Sequence, residues 1–198
     1  MEQIMEQYST TFYKCMEKWP IEIKEDVYKL YAYLRVCDEV VEGMDIWESG
    51  EKIDIVNQFN LIVDKYQMEQ EWVDDFHHAM LTDLHKRRHT VVSMLEYCKG
   101  SAEAVGLMMS RILGCPPEAD HHARALGRAY QIINFMRDYE EDVDKGYHYI
   151  TDNFNAYLEI FYQDIDNGMD GLGYIPTELQ QPIIQATQGY MEIAKGLE

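Results

Sequence analysis

Two acidic segments far apart in the chain carry the residues best suited to chemistry. The first is Arg35-Val36-Cys37-Asp38-Glu39-Val40-Val41-Glu42 and the second runs from Gln131 through Asn134, Arg137 and Asp138 to Asp142. In each, two carboxylates stand four residues apart, so a helix would project them from one face, one turn apart. Like charges placed that way repel and weaken an isolated helix. Two such pairs therefore suggest a shared load of hard divalent cations and the anion these bind. Mg²⁺ takes oxygen ligands, keeps several waters and is held by one or two carboxylates together with substrate phosphates. Carboxylate pairs on facing helices could grip a diphosphate through bridging ions, which would neutralise charge on a departing pyrophosphate. Arg35 and Arg137 could donate paired hydrogen bonds to phosphate oxygens, with Asn134 and Gln131 orienting ligands or water. Loss of pyrophosphate from an allylic chain leaves a carbocation, which needs a water-poor cavity with aromatic faces.

Helical periodicity dominates the elements that must position these groups, and strand-like alternation is nearly absent. The pattern predicts helices at about 3–18, 21–44, 51–66, 72–89, 91–113, 118–145, 154–166 and 177–195. Gly114-Cys115-Pro116-Pro117 breaks the run between the fifth and sixth, and 168–173 reads as the loosest segment. On the second helix Val27, Leu30, Leu34, Cys37 and Val41 form a stripe expected to pack outward against neighbouring helices. Tyr28, Tyr31, Arg35, Asp38, Glu42 and Asp45 form a different stripe. Tyr97, Gly100, Ser101, Ala104, Val105 and Met108 put small and soft residues along one helix, which suits either a channel for an apolar tail or close helix packing.

The 198 residues are read as a single domain with enough length for a real core. Thirty-six acidic against seventeen basic residues give a net charge of -19. Such a field repels nucleic acid and anionic membrane surfaces, so no nucleic acid and at most peripheral membrane contact are expected. No apolar run approaches a membrane span and no signal peptide is visible, so a cytoplasmic protein, at most surface-associated with membrane, is expected. The four cysteines form no CxxC pair and read as buried free thiols. His85 and His89 have metal-pair spacing, but Lys86-Arg87-Arg88 between them suggests a solvated helix end. No Gly-rich phosphate loop or dinucleotide fingerprint appears, so NADPH use is not indicated.

These segments together resemble the squalene/phytoene synthase family, the head-to-head prenyltransferases. The likeness runs from Ser9-Thr10-Thr11-Phe12-Tyr13 through residues 27–42 and the Tyr97-led helix to Leu126–Asp142, whose Gln, Asn, Arg, Asp and Asp are the most specific match. The resemblance implies an all-α isoprenoid-synthase-like helical bundle around a central cavity. It implies Mg²⁺, with Mn²⁺ as a substitute, bound by Asp38, Glu42, Asp138 and Asp142. Diphosphate contacts would come from Ser9, Thr10 and Phe12, with Tyr31, Arg35, Gln131, Asn134 and Arg137 binding substrate and Tyr97 in a catalytic place. Two allylic prenyl diphosphates of C15 or C20 would be joined, with release of pyrophosphate. Three departures stand against the pattern. Glu42 replaces an aspartate, Gly146-Tyr147-His148-Tyr149-Ile150-Thr151 loses an arginine, and the chain is shorter than the family's usual length. The family's C-terminal helices are thus expected to be missing or much reduced. The alternatives are a class I terpene cyclase acting on one prenyl diphosphate, a cavity completed by a homo-oligomer, or a truncated, non-catalytic member.

Overall fold

Apolar residues recurring every three or four positions, with glycine and proline between the runs, produce eleven α-helices among the residues that the computed structural model describes. These are residues 1–8, 10–41, 43, 47–85, 87–151 and 153–197, and among them there is no strand. The helices are α1 (Glu2–Tyr8), α2 (Thr10–Cys15), α3 (Ile21–Val41), α4 (Ser49–Lys65), α5 (Gln70–Asp83), α6 (Val91–Cys98), α7 (Ala104–Ile112), α8 (Asp120–Arg137), α9 (Tyr139–Asp144), α10 (Phe154–Asp170) and α11 (Thr177–Leu197). The expected all-α class is the observed one. Helix α8 lies at the centre, packed on α7, α10 and α11, while α3 packs on α1, α4 and α5.

Several boundaries depart from the periodicity for local reasons. The first predicted helix is two short helices followed by a 3₁₀ turn at Met16–Lys18. Helix α5 ends at Asp83, so His85 and His89 do not share a helix face, and the segment after it instead forms a bridge between Arg88 and His148. A five-residue π turn, Lys99–Glu103, joins α6 to α7. The sixth predicted helix breaks at Asp138, which leaves the α-region at φ -95°, ψ 10° and heads α9. The segment read as loosest is in fact the last turn of α10 and a 3₁₀ turn at Gly171–Tyr174. The Gly114 break is as expected, with φ +76°. All four cysteines are free, but only Cys98 and Cys115 are buried; Cys15 and Cys37 are half-buried.

Ion pairs of the half-buried Arg128 set the spacing around α8. Arg128 donates from Nε and Nη2 to both carboxylate oxygens of Asp164 on α10, at 2.7 and 2.6 Å, and from Nη1 to Glu103 at 2.6 Å. Asp164 and Glu103 are both buried. The pairing holds the guanidinium charged, raising its pKa above the ordinary arginine value through the Asp164 bond first. Glycines set the other spacing. A Cβ at Gly106 would lie 2.3 Å from the Ala123 carbonyl oxygen, and one at Gly127 would lie 2.5 Å from that of Ala102.

Gly106→Ala is therefore expected to destabilise the fold by about 1–3 kcal/mol, the usual cost of overpacking. Gly189→Ala, where a Cβ meets nothing within 4 Å inside α11, is expected to stabilise by about 0.5–1 kcal/mol. Urea midpoints of the two variants test this opposite-sign pair.

Candidate functional site

A cavity of about 500 Å³ opens between α3, α7, α8 and the last two helices. Ser101, Ser110 and His122 supply part of its polar lining, and the C-terminal turns of two helices supply another part, with Arg35 and Asp38 from α3 and Gln131 and Asn134 from α8. The turns before them supply apolar groups, including Val27, Leu30 and Leu34 of α3 and Ala123 and Leu126 of α8. The α3 residues expected to pack outward thus face the cavity as well. Tyr28, on the same stripe as Tyr31, Arg35 and Asp38 by spacing, packs against Tyr13, with ring centroids 5.9 Å apart. The helix of small residues is divided between both of its readings. Tyr97, Ser101 and Val105 line the cavity, whereas Gly100 is in close packing, a Cβ there falling 2.1 Å from the Asp75 carbonyl oxygen. Helices α10 and α11 also form wall, through Gly168 and through Ile183 and Tyr190.

Phe12 and Tyr31 line the same cavity as Arg35. Ser9, Glu42 and Asp45 lie outside the described residues, as does the side chain of Thr10 in α2. Arg35 donates from Nη1 to Asp38 at 2.8 Å and from Nε to Glu39 at 2.9 Å. Arg137 is turned toward its own neighbour, making a two-point contact with Asp138 at 2.7 and 2.6 Å. The Asp142 N–H donates to the Asp138 carbonyl at 2.9 Å, keeping the two one turn apart despite the helix break.

A carboxylate that periodicity did not single out links the two acidic segments. Asp83, at the end of α5, is buried and accepts a hydrogen bond from the Tyr97 hydroxyl at 2.5 Å. Burial pushes its pKa up to about 6, against the pull of the Tyr97 and Tyr149 hydroxyls, and the charge of Asp38 adds to the rise. Tyr149 stacks on Phe135 at 4.3 Å and lies 5.5 Å from Tyr97, ring to ring. Burial raises the Tyr149 pKa far above the ordinary phenol value, followed by the charges of Asp83 and Asp142. Asp38 from one side and Asp142 from the other therefore act on one Asp83–Tyr97–Tyr149 cluster. The sequence signal for Asp83 was a lone acid after Met80-Leu81-Thr82, which any helix end could show. Tyr190, also missed, stacks on Tyr130 at 4.4 Å and bonds to Asn134. Its position was indistinguishable from the apolar stripe of α11.

The cavity offers oxygen donors of the type that magnesium takes. Asn134 Oδ1 is buried without a hydrogen-bond partner, on the cavity that also holds the half-exposed Asp38 carboxylate. These are hard oxygen donors. Among the described residues no three carboxylates, histidines or cysteines form a ready-made metal cluster, and of the expected metal ligands Asp38 lines the cavity whereas Asp138 and Asp142, like Arg137, are not part of its lining.

A family model described as "Squalene/phytoene synthase" matches residues 48–165. A chloroplastic phytoene synthase from an Oncidium hybrid cultivar is 29% identical, over 84% of this chain and 47% of that protein. The phytoene synthase of Thermus thermophilus is 27% identical, over 87% of this chain and 65% of its own. The chain thus spans about half of one of these curated relatives and just under two thirds of the other. A crystal structure of a dehydrosqualene synthase in complex with ligand superposes with a TM-score of 0.83 at 21% identity, covering 96% of this chain and 82% of that one.

The raised pKa of Asp83 has a definite sign. Between the ordinary carboxylate value near 4 and about 6 the folded state binds the extra proton, so stability falls as pH rises through that window. Asp83→Asn is expected to remove this contribution, and urea midpoints of both proteins at pH 4.5 and 6.5 would then differ in slope. Identical slopes would refute the burial of a protonated Asp83.

Proposed function

Since the chain belongs to the squalene/phytoene synthase family, we propose that it is a prenyltransferase joining two allylic isoprenoid diphosphates head to head with release of pyrophosphate. The observation that carries this reading is a single cavity whose polar groups, Arg35, Asp38, Gln131 and Asn134, continue into an apolar lining. A diphosphate head and a prenyl tail require that combination. In this reading residues 1–198 act as one domain, with α10 and α11 as part of the cavity wall.

Asp38 and Asn134, with Asp138, Asp142 and Glu42, would hold the metal ions. Magnesium, when bound, supplies Lewis-acid neutralisation of the charge on leaving pyrophosphate. The chain's own groups do the rest. Arg35 donates to phosphate oxygens in a planar two-point contact. Phe12, Tyr31 and Tyr97 offer aromatic faces, which attract a developing cation. Tyr97 is held in place by Asp83, so its ring cannot turn away as charge develops. The apolar lining excludes water that would otherwise trap the cation as an alcohol.

A second reading, cyclisation of one prenyl diphosphate, is favoured by the size of the cavity, whose 500 Å³ lies toward the lower part of the roughly 300–1,000 Å³ typical of ligand pockets. Incubation with farnesyl or geranylgeranyl diphosphate and Mg²⁺ separates the two. A doubled carbon skeleton with pyrophosphate supports coupling, a cyclic or hydroxylated single skeleton supports the second reading, and no pyrophosphate release refutes both. Asp138→Ala and Asp142→Ala are each expected to lower turnover by about 100-fold or more, the scale of removing one preorganised electrostatic group. Their circular dichroism should be unchanged, because relieving like-charge repulsion does not unfold a helix. Full activity in either variant removes that residue from the metal set.

A further inference from the structure

Glu39 stands inside the first acidic segment, yet the fold treats it differently from its neighbour. It is fully withdrawn from solvent, whereas the Asp38 side chain is 47% exposed. Its Oε1 accepts from Arg35 Nε at 2.9 Å, and its Oε2 accepts from the Trp47 indole N–H. A buried carboxylate is costly without partners, and bonds to it from charged donors are about twice as strong as neutral ones. Arg35 is therefore gripped from two sides of unequal strength, since the Nη1 bond to half-exposed Asp38 is weakened by solvent.

We propose that Glu39 is a positioning residue for the diphosphate site. It pins Arg35 through Nε, so that the guanidinium keeps its plane and direction when Asp38 exchanges Arg35 for metal ions. The Nη edge then meets the diphosphate already oriented. A guanidinium has five N–H donors in a rigid fork, so fixing Nε fixes the rest. Trp47 separates this role from simple anchoring. It precedes α4, and its bond to the other carboxylate oxygen ties the start of that helix to α3 through Glu39. The inference rests on the diphosphate reading above and adds a residue that the carboxylate spacing does not mark.

Titration calorimetry with inorganic pyrophosphate and Mg²⁺, run well below each variant's Tm, tests it. Glutamine has one oxygen acceptor, so Glu39→Gln cannot accept from both Arg35 and Trp47. It is expected to bind pyrophosphate about tenfold more weakly, or about 1.4 kcal/mol. Trp47→Phe is expected to lower Tm while leaving that affinity unchanged. Should Glu39→Gln fail to fold, Glu39→Asp keeps the charge but stops one methylene short. It should weaken binding in the wild-type background and cost nothing in an Arg35→Ala background. Wild-type affinity in a folded Glu39 variant, an equal loss in Trp47→Phe, or the same Glu39→Asp cost in both backgrounds each overturns the proposal. A wild-type protein that binds no magnesium pyrophosphate overturns the functional reading and this inference with it. Tight wild-type binding with indifferent Glu39 variants overturns this inference alone.

Discussion

The half-buried guanidinium of Arg128 fixes the distances on which the cavity depends. It sits between α8, the π turn and α10, satisfied by two carboxylates that are themselves buried. Removing one partner of such a triad leaves an uncompensated charge, a far larger penalty than the triad's own net worth. The three segments therefore keep one relative placement. Glycine contacts close the approach of α7 to α8 on the same side, so the void beside them persists as a cavity instead of collapsing.

The carboxylates of this region differ in depth. Asp38 and Asp138 are half-exposed and paired with Arg35 and Arg137. Glu39 and Asp83 are buried and paired with groups that they hold still. A half-exposed carboxylate remains available to a ligand from solvent, while a buried one acts only through what it touches. The same residue type thus takes two roles according to its solvent access.

Much of this arrangement was legible in the chain. The helical class, the Gly114 break, and the facing of Tyr31, Arg35, Asp38, Gln131 and Asn134 toward one place follow from spacing, because a helix face is a local property. What was not legible depends on contacts distant in sequence. Asp83 meets Tyr97 only after α5 and α6 fold back on each other. Tyr190 reaches Asn134 from the far end of the chain. Val27 and Leu30 read as outward-packing because an apolar stripe looks the same whether it faces another helix or an apolar void. The end of α5 at Asp83 was overrun because Leu84-His85 continue the period, while the backbone leaves it to bridge Arg88 with His148.

The π turn at Lys99–Glu103 has a consequence for anyone drawing this wall on paper. A wide turn absorbs about one residue more than an α turn, so side chains beyond it are rotated by roughly 100° relative to a uniform helix. A helical wheel begun at Val91 misassigns the faces of Val105, Met108 and Met109. For the same reason, deleting a single residue from this turn would restore regular α-geometry while leaving the two halves of the segment in their present relative orientation.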